Sequence, residues 1–359
     1  MEQLAEFLQQ PGPEHAPRQR AGARRSSLLN RLPANRLSGN KGVMFEGLAT
    51  LRGAAEAAPS FRPLLTTFRI GRASDRHLTI DDSRVSQDHS FLRFVRSNVW
   101  VVRDLASKNG TFVNGSRIEP GVDVVLTDQD VLCFGSTSSS WIFTSGSPSE
   151  LVISSSLDSR WRAVAPRVSV VPLPSEQEPF GTLLKRHTDW LLEAPGVDVR
   201  VLADGQPFVV GGIEYRAWMS RGDEPTAEGD SERARLEQAV LQLSVSQDEE
   251  QIAAELRIAG VARTLPARVH LYLLVLLARY RLQDNERGVS DGEAGWRFAD
   301  EIAQALGIDQ QSLNVQVYRA RSDLEKLGFQ DSSSIIERRS MTRQMRIGVA
   351  TDRLVVARL

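Results

Sequence analysis

Between residues 71 and 115 a few short stretches hold the side chains best suited to chemistry: Gly71-Arg72, Arg84-Val85-Ser86-Gln87-Asp88-His89, Asn109-Gly110-Thr111 and Asn114-Gly115. An arginine offers a planar fork that matches a phosphate, a serine hydroxyl adds a donor, and an asparagine amide can both donate to and accept from an extended peptide backbone. Together these types suit a phosphorylated peptide. Catalytic patterns are missing from the same sequence. His89 has no carboxylate, serine or cysteine arranged around it as a triad, so a packed scaffold histidine is expected. His15, His77, His89, His187 and His270 lack metal-ligand spacing, and Gly211-Gly212 is not followed by the lysine and hydroxyl residue of a phosphate-cradling loop. The expectation is a protein that binds rather than catalyses, with no cofactor and no metal.

The elements that must position these residues are short. From Phe61 to Phe143 the chain runs in segments rich in Val, Ile, Leu, Phe and Thr, separated by Gly, Asn and Asp, which is the texture of an all-β sandwich. Asn114-Gly115 predicts a two-residue hairpin between Thr111–Val113 and Ser116–Ile118, because both positions tolerate positive φ. The candidate residues fall where strands end, so they should gather on loops at one end of the sandwich. Cys133, the single cysteine, lies in the apolar run Val131-Leu132-Cys133-Phe134, which predicts a buried thiol and excludes a disulfide framework.

Gly71-Arg72, Ser86-x-x-His89 and Asn109-Gly110-Thr111 occur in an order and spacing that resembles the forkhead-associated (FHA) domain, a phosphothreonine-binding β-sandwich, over about residues 48–145. The resemblance implies that Arg72 and Ser86 contact the phosphate, Arg84 assists, Asn109 holds the peptide main chain, and Gln87 and Lys108 tune the flanking preference. It also implies a supporting role for Gly71, His89, Gly110 and Thr111, with His89 bracing the loops from within.

In Gln310–Leu327 the apolar residues Leu313, Val317, Ala320, Leu324 and Leu327 recur at helical spacing and define a core-facing stripe. Gln311, Val315, Tyr318, Arg319, Ser322 and Lys326 then point away from it, with Asn314 and Arg321 on the flank. Asn314 to Leu324 is similar to the recognition helix of the winged-helix domain in OmpR-type response regulators, and the likeness spans about residues 238–357, with Leu265–Leu282 as first helix and Ile335–Val349 as wing. It implies DNA contacts from Arg319 and Arg321 on the helix and from Arg343 or Arg346 in the wing. Tyr318, Ala320 and Asp323 give less positive charge than that family carries, and Gln283–Gly295 is a polar insertion.

The domain plan expected is a disordered basic arm over 1–45, an all-β FHA sandwich over 46–145, a linker and small β-rich extension over 146–235, and an α+β winged helix-turn-helix domain over 236–359. Ser136–Ser156 reads as linker or edge loop, and Leu183–Glu193 as a helix. Met44 is an alternative start to Met1. With 44 basic and 45 acidic residues the net charge is −1, so any polyanion site must be local. The longest apolar stretch, Leu271 to Ala278, is too short to span a bilayer, and no secretory signal is visible, so a cytoplasmic protein without membrane contact is expected. The partner expected is a phosphothreonine-containing protein, either a kinase or its substrate, and the C-terminal unit leaves two readings open. A bacterial transcriptional regulator would bring double-stranded DNA as a second partner; a phosphopeptide-dependent scaffold or adaptor would bind protein there instead.

Overall fold

The computed structural model describes residues 47–54, 60–137, 140–195, 197–220, 234–339 and 342–359. The expected basic arm over 1–45 and the alternative start at Met44 lie outside the described residues.

The first unit is a two-sheet sandwich. One sheet has the order Phe61–Pro63, Thr50–Gly53, Ser140–Thr144, Val131–Phe134, Thr111–Val113, Ser116–Arg117. The other has the order Leu78–Thr79, Thr67–Gly71, Ser90–Arg96, Val99–Asp104, Val124–Leu126. Alternation sets the inner face: Phe68 and Ile70 are buried while Thr67 and Arg69 stand outward. Leu51, Leu92, Trp100, Leu132, Phe134 and Phe143 fill the space between the sheets. Asn114 and Gly115 take φ of 50° and 80°, and the hairpin forms in the expected register, with Val113 opposite Ser116. Cys133 is buried, and burial pushes its thiol pKa up.

Ser136–Ser156 is not a linker. Ser140–Thr144 pairs with Val131–Phe134 inside the first sandwich, and Leu151–Ser155 is a central strand of the next unit. Trp141, Phe143, Leu151 and Ile153 supply its buried contacts.

Residues 151–219 form a second sandwich with its own core, built from Leu151, Ile153, Leu173, Leu183, Trp190, Leu192, Phe208 and Tyr215. Its sheets have the orders Asp158–Val164, Leu151–Ser155, Ile213–Met219, Pro207–Val210 and Val170–Pro174, Pro179–Arg186, Asp189–Ala194, Val197–Val201. The helix expected over Leu183–Glu193 is instead an antiparallel pair, with Leu183 opposite Leu192 and Leu184 opposite Leu191, turning at His187 with φ 54°. Both faces of this pair are covered. Leu183 and Leu192 face the sandwich core, and Leu184 packs the other way, against the C-terminal unit. A strand buried on both faces loses its alternating pattern and reads as a continuous apolar run.

The third unit has a sheet with the order Val261–Leu265, Ile252–Ile258, Val240–Val245, Leu354–Arg358, the last strand running parallel to Val240–Val245. Three helices follow the first strands: α1 (His270–Glu286), α2 (Ala299–Ala305) and α3 (Gln310–Lys326). Asp309 caps α3 by accepting the Ser312 amide N–H at 2.7 Å. Arg297–Phe298, Gln344–Ile347 and Ile336–Arg339 make a small closing sheet. The polar insertion after α1 is tied down, with Arg281 on Asp291 at 2.8 Å and Arg297 on Asp284 at 2.7 Å. Among the described residues no helix is long and apolar enough to cross a membrane, and no group of His, Cys, Asp and Glu is arranged to hold a metal.

Candidate functional site

Three loops meet at one end of the first sandwich, and hydrogen bonds between them fix their spacing. The Arg72 amide N–H donates to Ser86 O at 2.9 Å, and Arg72 Nε donates to Val85 O at 3.3 Å. The Lys108 amide N–H donates to Ser86 Oγ at 3.2 Å, and Asn109 Nδ2 donates to Arg84 O at 2.7 Å. Arg72, Arg84, Gln87 and Lys108 are exposed, and Ser86 and Asn109 are half-buried. The six residues singled out as phosphopeptide contacts are thus on adjoining loops and open to solvent.

The glycines permit this close approach. A Cβ on Gly71 would lie 2.1 Å from Gln87 O, so no other residue lets the first two loops touch without moving the backbone. Gly110 takes φ +86°, and a Cβ there would meet the Arg117 side chain. His89 is fully buried beneath the loops. Its Nδ1 accepts the Ser86 N–H at 3.1 Å, which assigns the proton to Nε2, directed at Gly110 O at 3.2 Å. Burial holds its pKa below the usual histidine value, against the opposing pull of Gly110 O and Asp104. With both nitrogens engaged by backbone, His89 is a brace between two of the three loops.

The third loop has its own anchor, which the sequence reading missed. Asp104 is fully buried and accepts from the Ser107 N–H at 2.8 Å, from Ser107 Oγ at 2.6 Å and from Thr111 Oγ1 at 2.6 Å. Burial raises its pKa, but the hydrogen bonds from Ser107 and Thr111 outweigh that and leave it below the ordinary carboxylate range. An aspartate at a strand end followed by Ser107 and Thr111 is an Asx-type loop signal. Gly135 was also missed; its φ is +70°, and a Cβ would lie 2.4 Å from Arg84 O.

The cations are not equally available. Arg84 is held by Asp82, with Nη2 to Oδ2 at 2.6 Å, and these hydrogen bonds pull the Asp82 carboxyl down to about 2. Among the described residues Arg72 and Lys108 make no carboxylate ion pair, so their charge faces solvent. A dianion seated there would meet Arg72, Lys108 and the Ser86 hydroxyl, with Arg84 shared between it and Asp82.

The four arginines read as DNA contacts have different fates. Arg319 and Arg343 are exposed. Arg321 is fully buried and forks onto Glu193 of the second sandwich at 2.7 and 3.1 Å, so it is not open to DNA in this arrangement. Arg346 is held by Glu337 at 2.7 Å, donates to Asp291 O and Gly292 O, and stacks over the Trp296 ring at 4.5 Å. Its role is to close the insertion against the hairpin. Tyr318 and Ser322, expected on an open face, are buried as well.

Residues 68–135 match the FHA domain family model. An FHA domain-containing protein of Arabidopsis thaliana is 35% identical over 71 residues, which is 20% of this chain and 18% of that relative, so the chain spans under a fifth of the relative's length. A solved FHA domain studied for phosphothreonine-dependent interactions is 28% identical, covering 27% of this chain and 95% of its own, with a TM-score of 0.24. EmbR of Mycobacterium tuberculosis, solved with a low-affinity phosphopeptide, is 28% identical over 28% of this chain and 25% of its own length, with a TM-score of 0.25. Residues 68–135 of this chain are an FHA domain.

Proposed function

We propose that this chain is a phosphothreonine-peptide-binding signalling protein, acting in the cytoplasm by binding rather than catalysis. The observation that carries the reading is the lacing of three loops that leaves Arg72, Lys108 and the Ser86 hydroxyl on one open end, with Arg84 and Asn109 beside them. Calorimetry of the full chain with matched phosphorylated and unphosphorylated threonine peptides from a degenerate library tests it. Binding that requires the phosphate is expected, and indifference to it sinks the proposal.

The C-terminal unit is read as a winged helix-turn-helix that couples the phosphorylated partner to transcription. Support comes from its order of elements, with strands, three helices and a terminal hairpin, and from the capped helix α3 with Arg319 exposed. An affinity for double-stranded DNA that falls steeply with salt is the expected result, because counterions are released as phosphates are neutralised. One observation favours the second reading, a phosphopeptide-dependent adaptor: part of α3 already docks protein, through Arg321 and Glu193. No retention on DNA at low salt, for any form of the chain, would select that alternative.

A further inference from the structure

The second sandwich and the C-terminal unit keep separate cores, and what joins them is small and mostly polar. The apolar part is Val170, Leu184 and Tyr318, with Leu191 at its margin. Around it the contacts are charged. Arg321 forks onto Glu193, Arg338 Nε lies 3.4 Å from the same carboxylate, and the Glu325 carboxylate accepts from the Ser169 amide and, at 2.6 Å, from its hydroxyl. A small cavity lined by Thr182, Glu193, Asn314, Val317 and Arg338 sits beside the fork, so the packing there is not closed.

Such a joint is built to separate. Interfaces between domains of one chain resemble transient contacts when they are small and polar. A buried ion pair adds little net stability, because the water each charge gives up offsets their attraction, and both charges recover that water on opening. Arg321 would not collapse on opening. Its Nε donates to Ser333 O at 3.1 Å and its Nη2 to Ile336 O at 2.7 Å, both within the C-terminal unit, so the fork keeps its aim without Glu193. Two arginines converging on one carboxylate also describe a seat for a phosphate oxygen pair.

We propose that the second sandwich is a removable cover on α3, that Glu193 is an internal stand-in for an anion in a seat made by Arg321 and Arg338, and that opening exposes Tyr318, Arg321 and Ser322 to the phosphodiester backbone of double-stranded DNA. The DNA occupant rests on the winged-helix reading above; the cover does not.

The test uses the full chain in three forms: wild type, Glu193→Gln, and the double variant Glu193→Leu with Arg321→Met, which refills the joint without charge. Amide exchange is followed in α3 and in Asp189–Ala194, and retention on double-stranded DNA is measured across a salt series. In Glu193→Gln both segments should exchange at least tenfold faster, with DNA affinity up at least tenfold and salt-sensitive. The double variant, which lacks Arg321 in the seat, should not be retained on DNA whatever its exchange. Unchanged exchange in Glu193→Gln overturns the cover, and faster exchange with both forms retained on DNA equally overturns the masking of DNA by that cover while leaving a DNA-binding domain intact. Faster exchange without DNA retention overturns the DNA occupant, and the winged-helix reading with it, but upholds the cover. If Glu193→Gln does not fold, Glu325→Ala removes the second clasp, both the amide and the hydroxyl bonds from Ser169; exchange about threefold faster in the same segments supports the cover, and no change overturns it.

Discussion

The loops of the FHA domain and the face of α3 both gather arginines, and they treat them in opposite ways. At the FHA loops the backbone is fixed and, among the described residues, the Arg72 and Lys108 cations have no carboxylate partner: Arg72 N–H, Asn109 Nδ2 and His89 tie loop to loop, while the exposed Arg72 side chain gives up only Nε, to Val85 O, and Lys108 faces solvent. On α3 the cation itself is fixed. Arg321 is spent on two carbonyls of its own unit and on Glu193, and has no exposed surface. In the closed arrangement Arg321 is buried and saturated and holds structure, whereas Arg72 and Lys108 are wet and can meet a ligand without any opening. Position in the fold, and not residue type, decides which of the two an arginine becomes.

The largest effect that would break this contrast is at Arg321. Arg321→Ala leaves Glu193 buried with only Arg338 at 3.4 Å and strips two carbonyls of their donor. Loss of one partner of a buried pair typically costs about 3–5 kcal/mol. Exchange-derived stability of the C-terminal unit should fall by an amount of that order, and phosphopeptide affinity should not move. Arg72→Ala should do the reverse. Charge-assisted hydrogen bonds are worth about 1.5–3 kcal/mol, so phosphopeptide affinity should drop about tenfold to a hundredfold by calorimetry. The unfolding profile should change little, because the side chain holds no core contact; the substitution removes only its Nε bond to Val85 O at 3.3 Å, while the amide bond to Ser86 O survives.

Arg84 is intermediate and sharpens the comparison. Its guanidinium already faces Asp82, so a bound phosphate would gain only part of its charge. Arg84→Ala should weaken phosphopeptide binding about twofold to fivefold, well short of Arg72→Ala. Removing the competitor with Asp82→Asn should tighten binding by a similar factor. Equal losses at Arg72 and Arg84 would mean that Asp82 does not compete.

The parts of this molecule legible from sequence are those whose cause is local. Asn114-Gly115 specifies its turn by backbone conformation alone, and the stripe Leu313, Val317, Ala320, Leu324 specifies the inner face of α3. That Arg72, Ser86 and Asn109 gather on loops at one end of the sandwich was legible because they sit at strand ends, where packing does not ask for them. What escaped was set by distant contacts. Leu183–Glu193 looked helical because the C-terminal unit covers the face that would otherwise be polar. Arg321 looked free because its partner, Glu193, lies 128 residues away and carries no local signal. Asp104 and Gly135 hold the site from below and touch only other loops, so their importance appears once those loops are brought together.

The smallest predicted difference is in acid, and it separates two buried histidines. His89 has both nitrogens engaged, whereas among the described residues neither nitrogen of His270 finds a hydrogen-bond partner, although Nε2 lies 3.3 Å from an Asp323 oxygen. Burial lowers the pKa of each, against the pull of Gly110 O and Asp104 on His89 and of Asp323 on His270. For a histidine whose folded pKa lies below its unfolded value near 6.5, the unfolded chain binds the extra proton first. The stabilisation is complete above that pH and is lost as pH falls through the folded pKa. Protonating His89 also removes the acceptor of the Ser86 N–H, so acid should loosen the loop that carries the serine. Protonating His270 gives Asp323 a cationic partner, which offsets part of the same loss. Amide exchange of the peptide-free chain at pH 5 and 7, corrected for intrinsic rates, should therefore rise more around Ser86 than around His270. Working without peptide matters, because a phosphothreonine changes its own charge near pH 6. Equal acceleration at the two histidines would mean that the Ser86 contact does not stabilise the loop.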